Sequence, residues 1–402
     1  MKTEIKQRIE QIRRGEVPER YVKTALGLAP ANWKRYTFGD IYTERKEPGD
    51  ENLPLLMVSI HSGVSDGEVD AAELPKQVKR IEDKSQYKKA VSGDLVFNMM
   101  RAWQGAIGTV RTTGMVSPAY IVAEPNDKAY PLFMDYYSRT PQMINQIDRQ
   151  SYGVTDFRKR LYWDSFAPIS CTLPPIEEQQ KIADILTTQD RVIELKEKCL
   201  AEKQRQKKYL MQQLLTGKKR LPGFAFEVEK TNIKAISTYS VSTISQTMLE
   251  SYEGKQLYPV FNANSIAGHV DFYENECPYI SIIKDGAGIG RVRLCEAKSS
   301  TIGTMGCIHA RKGISIIFLY YLLEQVDFNK YSNGSTIPHL YYKDYSCEKV
   351  RIPDIKEQAA IAEVLSTADR EIELLQQDIE QEKQKKKALM QLLLTGIVRV
   401  KT

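Results

Sequence analysis

Few residues of this chain have the types and spacing for catalysis, and the nearest approach to an active site is Asp285 followed by Glu296-Ala297-Lys298. That order fits a loose D…E-x-K arrangement, in which two carboxylates hold magnesium and a lysine aids the attacking water of an endonuclease. The glycine-rich run GAGIG, Gly286 to Gly290, leads into the strand-like VRLCE. A phosphate cradle opens a helix instead, so the run reads as a tight hairpin. The chain holds no G-x-x-x-x-G-K-[ST] loop for ATP and no Asn-Pro-Pro-Tyr or Asp-Pro-Pro-Tyr motif for amino methylation. LPPI at Leu173 to Ile176 lacks both the amide or carboxylate before the prolines and the aromatic after them. His61, His269, His309 and His339 are scattered without ligand spacing, and no metal site is expected.

What remains is binding chemistry. Donors for phosphates and base edges gather at Arg101, Trp103 and Gln104, and again at Arg158, Lys159 and Arg160 in the loop SYGVTDFRKRLYW. A second set comprises Lys284, Arg291, Asn333, Ser335, Thr336 and His339, the last four in YSNGSTIPHLYY. Arginine can read guanine, and glutamine adenine, in a major groove. Each of these side chains fits a solvated surface equally well, and most protein–DNA hydrogen bonds go to phosphate.

The elements that would position them are repeated. The stretch Ile176 to Gly217 recurs as Ile355 to Gly396 without a gap, Glu178 matching Glu357 at an offset of 179 (357 − 178). Each copy reads as a short helix and then a long one, with Asp190 and Asp369 as caps and Gly217 and Gly396 as stops. The long helix, roughly 26 residues, would span about 39 Å, close to one turn of B-DNA. Apolar positions alternate four and three apart, giving coiled-coil seams. One includes Ile193, Leu200, Lys207, Leu210 and Leu214, the other Ile372, Leu375, Ile379, Glu382, Leu389 and Leu393. Antiparallel pairing about the polar centres would set Glu382 opposite Lys207, and Leu200 and Leu210 against Leu389 and Ile379. Parallel pairing would place Lys207 beside Lys386.

Around this scaffold the order of β-like runs, a helix and a polar loop occurs twice, with low identity between the two globules. QGAIGTV at Gln104 to Val110 matches GAGIGRV at Gly286 to Val292 at an offset of 182. Before the first globule, Ile5, Ile9 and Ile12 mark an amphipathic helix. The 402 residues are 42% hydrophobic and 27% charged, which suits a soluble protein of two or three domains. No apolar run has membrane-spanning length, and the N-terminus is not a secretory signal. Six cysteines without paired spacing fit reduced thiols in a cytoplasm. A net charge of +6 permits a polyanionic partner without requiring one.

These motifs resemble the DNA-specificity subunits of type I restriction-modification systems. The resemblance rests on Gly27-Leu28-Ala29-Pro30 with Trp33 and Gly39-Asp40, on LPPIEEQQKIADIL and IPDIKEQAAIAEVL, on the helix endings LMQQLLTG and LMQLLLTG, and on RLPGF at Arg220 to Phe224. The second opening region, FAFEVEKTNIKAIS, lacks the tryptophan and the Gly-Asp. The resemblance implies an α+β chain: two mixed α/β target-recognition globules separated by two long helices that form an antiparallel coiled coil, with a pseudo-twofold internal repeat. The corresponding regions are an N-terminal helix and linker (1–30), a first target-recognition domain (31–172), a central helical region (173–217), a second target-recognition domain (218–350) and a C-terminal helical region (351–402). It implies no catalytic activity and no cofactor on this chain. Its partners would be double-stranded DNA, two modification subunits carrying S-adenosylmethionine, and restriction subunits using ATP and magnesium, with no membrane. Outward Leu195, Leu374, Met211 and Met390 would face the modification subunits. The alternatives left open are the endonuclease of Asp285, Glu296 and Lys298, and a coiled-coil protein adaptor.

Overall fold

Neither repeat contains a proline or glycine between its first isoleucine and its final leucine, and nothing interrupts helix formation there. In the computed structural model each folds as one helix of 39 residues, Ile176–Leu214 and Ile355–Leu393. The expected short-then-long division is therefore corrected to single helices of about 58 Å. Asp190 and Asp369 do not cap them. Their carboxylates turn sideways to accept hydrogen bonds from the Tyr136 and Tyr321 hydroxyls, at 2.6 and 2.7 Å. Gly217 and Gly396 take left-handed φ of +69° and +72° just past the helix ends.

The structure describes all residues except 1, 25–26, 51, 61–62, 66–85, 154–157, 225–228, 287, 335–336 and 402, and only the backbone of 2 and 3. Contacts divide the chain into two units, 1–195 with 380–402, and 196–379.

Unit 1 is built on a four-stranded antiparallel sheet in the order Tyr42–Arg45, Tyr120–Pro125, Leu95–Asn98, Ile107–Thr109. Unit 2 repeats that order with Ser237–Val241, Met305–Ala310, Tyr279–Ile283, Val292–Cys295. The hairpin registers coincide: Phe97 faces Ile107, and Ile282 faces Val292. The offset through the sheet is thus 185 (282 − 97), correcting the 182 read from the glycine motifs. At the start of each globule it is 195 (229 − 34), where Lys34–Thr37 pairs with Ser170–Leu173 and Glu229–Asn232 with Lys349–Ile352. At the closing strands it has returned to 179 (349 − 170). The six-residue change between sheet and closing strands falls where unit 1 has the helix Pro141–Arg149 and unit 2 has the 3-10 turn Phe328–Tyr331.

The Gly-Asp of the first opening motif has a local explanation. Thr37 and Asp40 form a capping box on the helix Phe38–Ile41, and a Cβ on Gly39 would crowd the Ala167 Cβ at 3.3 Å. In unit 2 Asn232 alone caps Ile233–Ile236 through the Ala235 N–H, so that start needs no Gly-Asp.

The ends of the long helices are core, not surface. Ile182, Ala183, Leu186, Leu393 and Leu394 join Phe38, Phe97, Phe133 and Phe166 in unit 1. Their counterparts Ile361, Ala362, Leu365, Leu214 and Leu215 join Ile280, Ile308, Phe318 and Tyr345 in unit 2. Each fully buried side chain of this size contributes about 1.5–3 kcal/mol, so these ends are anchored by packing. The N-terminal helix, Lys2–Arg13, lies in unit 1, where Arg8 donates to the Ile397 carbonyl at 3.0 Å and the Tyr21 hydroxyl to that of Gly396 at 2.6 Å.

Candidate nucleic-acid interface

One backbone hydrogen bond, made once in each unit, brings the candidate loops together. The connection between strands Leu95–Asn98 and Ile107–Thr109 holds the 3-10 turn Ala102–Gln104, and the Leu161 N–H donates to the Met99 carbonyl at its root, at 2.8 Å. In unit 2 the Leu340 N–H donates to the Lys284 carbonyl, again at 2.8 Å. The basic loop and the hairpin loop therefore lie side by side in both.

The side chains divide into those presented and those already engaged. Arg101, Gln104, Arg158 and Arg160 are exposed. Trp103 is partly buried against the core and donates from Nε1 to the Met100 carbonyl at 3.0 Å. Lys159 lies 5.5 Å from the Trp103 ring centre and pairs with Asp148 at 2.9 Å. These two shape the loop from within. In unit 2 Lys284 and His339 both face Asp285, at 2.5 and 2.7 Å. Burial would raise the Asp285 carboxyl, but the hydrogen bonds and charges of Lys284 and His339 outweigh it and hold the group below its ordinary value. Arg291 donates to the Ala263 carbonyl and Asn264 Oδ1 at 2.8 Å each, and Asn333 to the Tyr331 carbonyl and Asp344 at 3.2 Å each. Ser335 and Thr336 lie outside the described residues.

The endonuclease arrangement is not assembled. Cys295 pairs with Tyr279, which puts Glu296 at one end of this hairpin, while Asp285 lies beyond Ile283 at the other. Seven residues of extended chain separate the two levels, roughly 20 Å, too far for one metal ion. Among the described residues no group of three or more His, Cys, Asp or Glu could hold a metal. Gly286, Gly288 and Gly290 take φ of +87°, +84° and +80° in a hairpin loop that precedes a strand.

The seam residues can also be placed. Ile193, Leu214, Ile379 and Leu393 are buried, and Leu200, Lys207, Leu210, Ile372, Leu375, Glu382 and Leu389 partly buried. In unit 2 Lys196, Lys203 and Lys207 meet Asp378, Glu371 and Asp369 at 2.8, 2.7 and 2.6 Å, so the helical segments there run in opposite directions. In unit 1 Gln189 donates to Glu382 at 2.7 Å and Lys386 pairs with Asp190 at 2.6 Å. The expected Glu382–Lys207 register is corrected: Lys207 and its repeat partner Lys386 each sit between an aspartate and a tyrosine ring, Tyr321 at 5.4 Å and Tyr136 at 5.5 Å. Burial and then the neighbouring aspartate raise both phenols well above the ordinary value, which keeps them as donors. Met211 and Met390 pack against the two cores, whereas Leu195 and Leu374 are 50% and 58% exposed.

The Glu-Gln pair repeated at the two helix openings, Glu178-Gln179 and Glu357-Gln358, ties each helix to its own unit. Gln179 accepts from the Tyr130 N–H at 2.8 Å and donates to the Pro174 and Lys128 carbonyls, both at 2.9 Å. Gln358 does the same with Ser315, Pro353 and Gly313. Glu178 receives Arg399, and Glu357 receives Arg220. The sequence carries a signal for the arginines, since Arg220 and Arg399 are also 179 apart (399 − 220), just past Gly217 and Gly396.

Two like-ordered sheets, each carrying a paired loop and docked on the ends of repeated helices, define a duplicated binding protein with no assembled catalytic centre among the described residues. The chain belongs to the type I restriction modification DNA specificity domain family, whose description matches residues 72–204 and 225–384. It is 25% identical over 367 residues to the type I restriction enzyme MjaVIII specificity subunit of Methanocaldococcus jannaschii, covering 79% of this chain and 83% of that protein. In fold it is similar to the S subunit of the type I restriction-modification system of M. genitalium, with a TM-score of 0.59, 14% identity, and 92% and 97% of the chains covered. A chain from a structure of type I R-M complex assembly and conformational transition gives a TM-score of 0.55 at 16% identity, covering 92% and 99%.

Proposed function

We propose that this chain is the DNA sequence-recognition subunit of a type I restriction-modification complex, that it performs no catalysis itself, and that each unit reads one half of a split target. The observation that carries this reading is the repeated loop pairing on like-ordered sheets, Leu161 to Met99 and Leu340 to Lys284, with different side chains presented in each. Equivalent scaffolds with divergent loops are what two readers of two different half-sites require. The long helices act as an antiparallel coiled coil that fixes the spacing of the half-sites, within a pseudo-twofold repeat. Leu195 and Leu374, exposed at equivalent positions, offer the same contact to two copies of a modification subunit. S-adenosylmethionine, ATP and magnesium then belong to the modification and restriction subunits, and the complex works in the cytoplasm. No helix of the described residues is long and apolar enough to cross a membrane.

The test is to map methylated adenines in DNA from cells expressing this chain with its modification subunit. A split motif with two fixed halves and an unspecified spacer is expected. A complex that forms yet leaves no methylated motif removes the recognition reading in favour of a protein adaptor.

A further inference from the structure

The internal repeat also compares two loops that serve one purpose on different sequences. RLYWDSF, Arg160 to Phe166, and HLYYKDY, His339 to Tyr345, align at the offset of 179 (339 − 160). Most of what they share has a packing reason. Leu161 and Leu340, and Phe166 and Tyr345, are buried, while Trp163 and Tyr342 pack against their respective cores. Tyr162 and Tyr341 have none: they are 48% and 50% exposed, and neither hydroxyl has a hydrogen-bond partner among the described residues.

Their place is as constrained as their exposure is unexplained. Each follows the leucine whose N–H ties the two loops together, and each precedes a four-residue helix, Trp163–Phe166 or Tyr342–Tyr345. Each has a cation two residues away. Arg160 is exposed beside Tyr162, and the Lys343 Nζ lies 5.6 Å from the Tyr341 ring centre. The His339 ring stacks on Tyr341 at 6.5 Å and 23°.

Resting on the recognition reading above, we propose that Tyr162 and Tyr341 are equivalent phosphate contacts, donating their hydroxyls to the DNA backbone and setting the register of each unit on the duplex. Side chains that read bases must differ between units that read different bases. A side chain kept in both, exposed and without an internal partner, serves what both half-sites share. On DNA that is the sugar–phosphate backbone, which tyrosine hydroxyls contact and which positions a protein without specifying sequence. These are positioning residues.

The test uses the complex of the full chain with its modification subunits, carrying Tyr162→Phe, Tyr341→Phe or the corresponding alanine changes. Binding is measured on a duplex holding the mapped target and on a scrambled duplex of equal length, and the methylated motif is read in cells. Each phenylalanine variant, which keeps the ring, is expected to weaken both duplexes alike, by about tenfold for a hydrogen bond to a charged group, with the motif unchanged. Loss confined to the target duplex would make the tyrosines base readers and overturn the proposal. So would unchanged affinity, or failure of the phenylalanine variants to join the modification subunits, which would mark a protein contact. A wild-type complex that binds neither duplex removes the recognition reading itself, and this inference with it.

Discussion

Arg399 grips Glu178 with both arms of its guanidinium, Nε and Nη2 each donating at 2.6 Å, although 221 residues separate them. Glu178 is 1% exposed and receives the Trp33 Nε1 as well, at 3.3 Å. Arg220 holds Glu357 in the same way. Arg399→Ala would leave a buried carboxylate without its charge partner. We expect a loss of about 2–3 kcal/mol in unfolding free energy, below the about 3–5 kcal/mol of a fully buried pair because the arginine side chain is partly exposed. Arg399→Lys should recover only part, since one ammonium cannot fill both oxygens. A melt indistinguishable from wild type would show that the pair contributes nothing.

Gln358 is buried and makes hydrogen bonds to Ser315, Pro353 and Gly313. Gln358→Leu should strand the Ser315 N–H ahead of the helix Ile316–Glu324 and cost about 1–3 kcal/mol. Hydrogen exchange would localise the change, with faster exchange at that helix start than elsewhere in unit 2.

Lys207 and Asp369, 2.6 Å apart, are expected to be coupled in a double-mutant cycle, by about 0.5–1 kcal/mol at their partial exposure. Lys207 with Glu382 should give none. The reverse result would restore the register that the sequence alone suggested.

Arg158 and Arg160 are exposed, whereas Lys159 is engaged with Asp148 and Trp103. Replacing either arginine with alanine should lower the slope of log affinity against log salt by about one contact. Identical slopes in wild type and the double variant would take this loop off the DNA.

Asp285 holds its proton less tightly in the folded chain than in the unfolded one. Its contribution is therefore complete above the ordinary carboxylate value, near 3.9, and is lost as pH falls through the lower folded value. Asp285→Asn should lower the stability of unit 2 at neutral pH, where that contribution is complete, and flatten the acid limb, so that variant and wild type converge at low pH. An unchanged acid limb would mean that the His339 and Lys284 contacts do not persist in solution.

The scaffold was legible in the sequence because it is periodic and duplicated. Ile372, Leu375, Ile379, Glu382, Leu389 and Leu393, the seam positions read in the second repeat, are all buried or partly buried, as helical spacing demands. The break expected at Asp190, where the helix runs on, shows the limit: an aspartate after threonines is also a good cap, whereas here its carboxylate accepts from the Tyr136 hydroxyl. Register failed for a related reason, since matching Glu382 to Lys207 overlooked Asp369 on the same helix and Glu324 from outside the repeat. Among the candidate contacts, composition could not separate Arg158, presented to solvent, from Lys284 and His339, already turned onto Asp285.

Residues 196–379 form unit 2 as one stretch, whereas unit 1 draws on both 1–195 and 380–402. A ribosome reading the message in order therefore delivers unit 2 whole while unit 1 still lacks Leu393, Leu394 and Arg399. The globule begun first is the one finished last, with Glu178, Ile182 and Leu186 waiting for residues 380–402 to cover them.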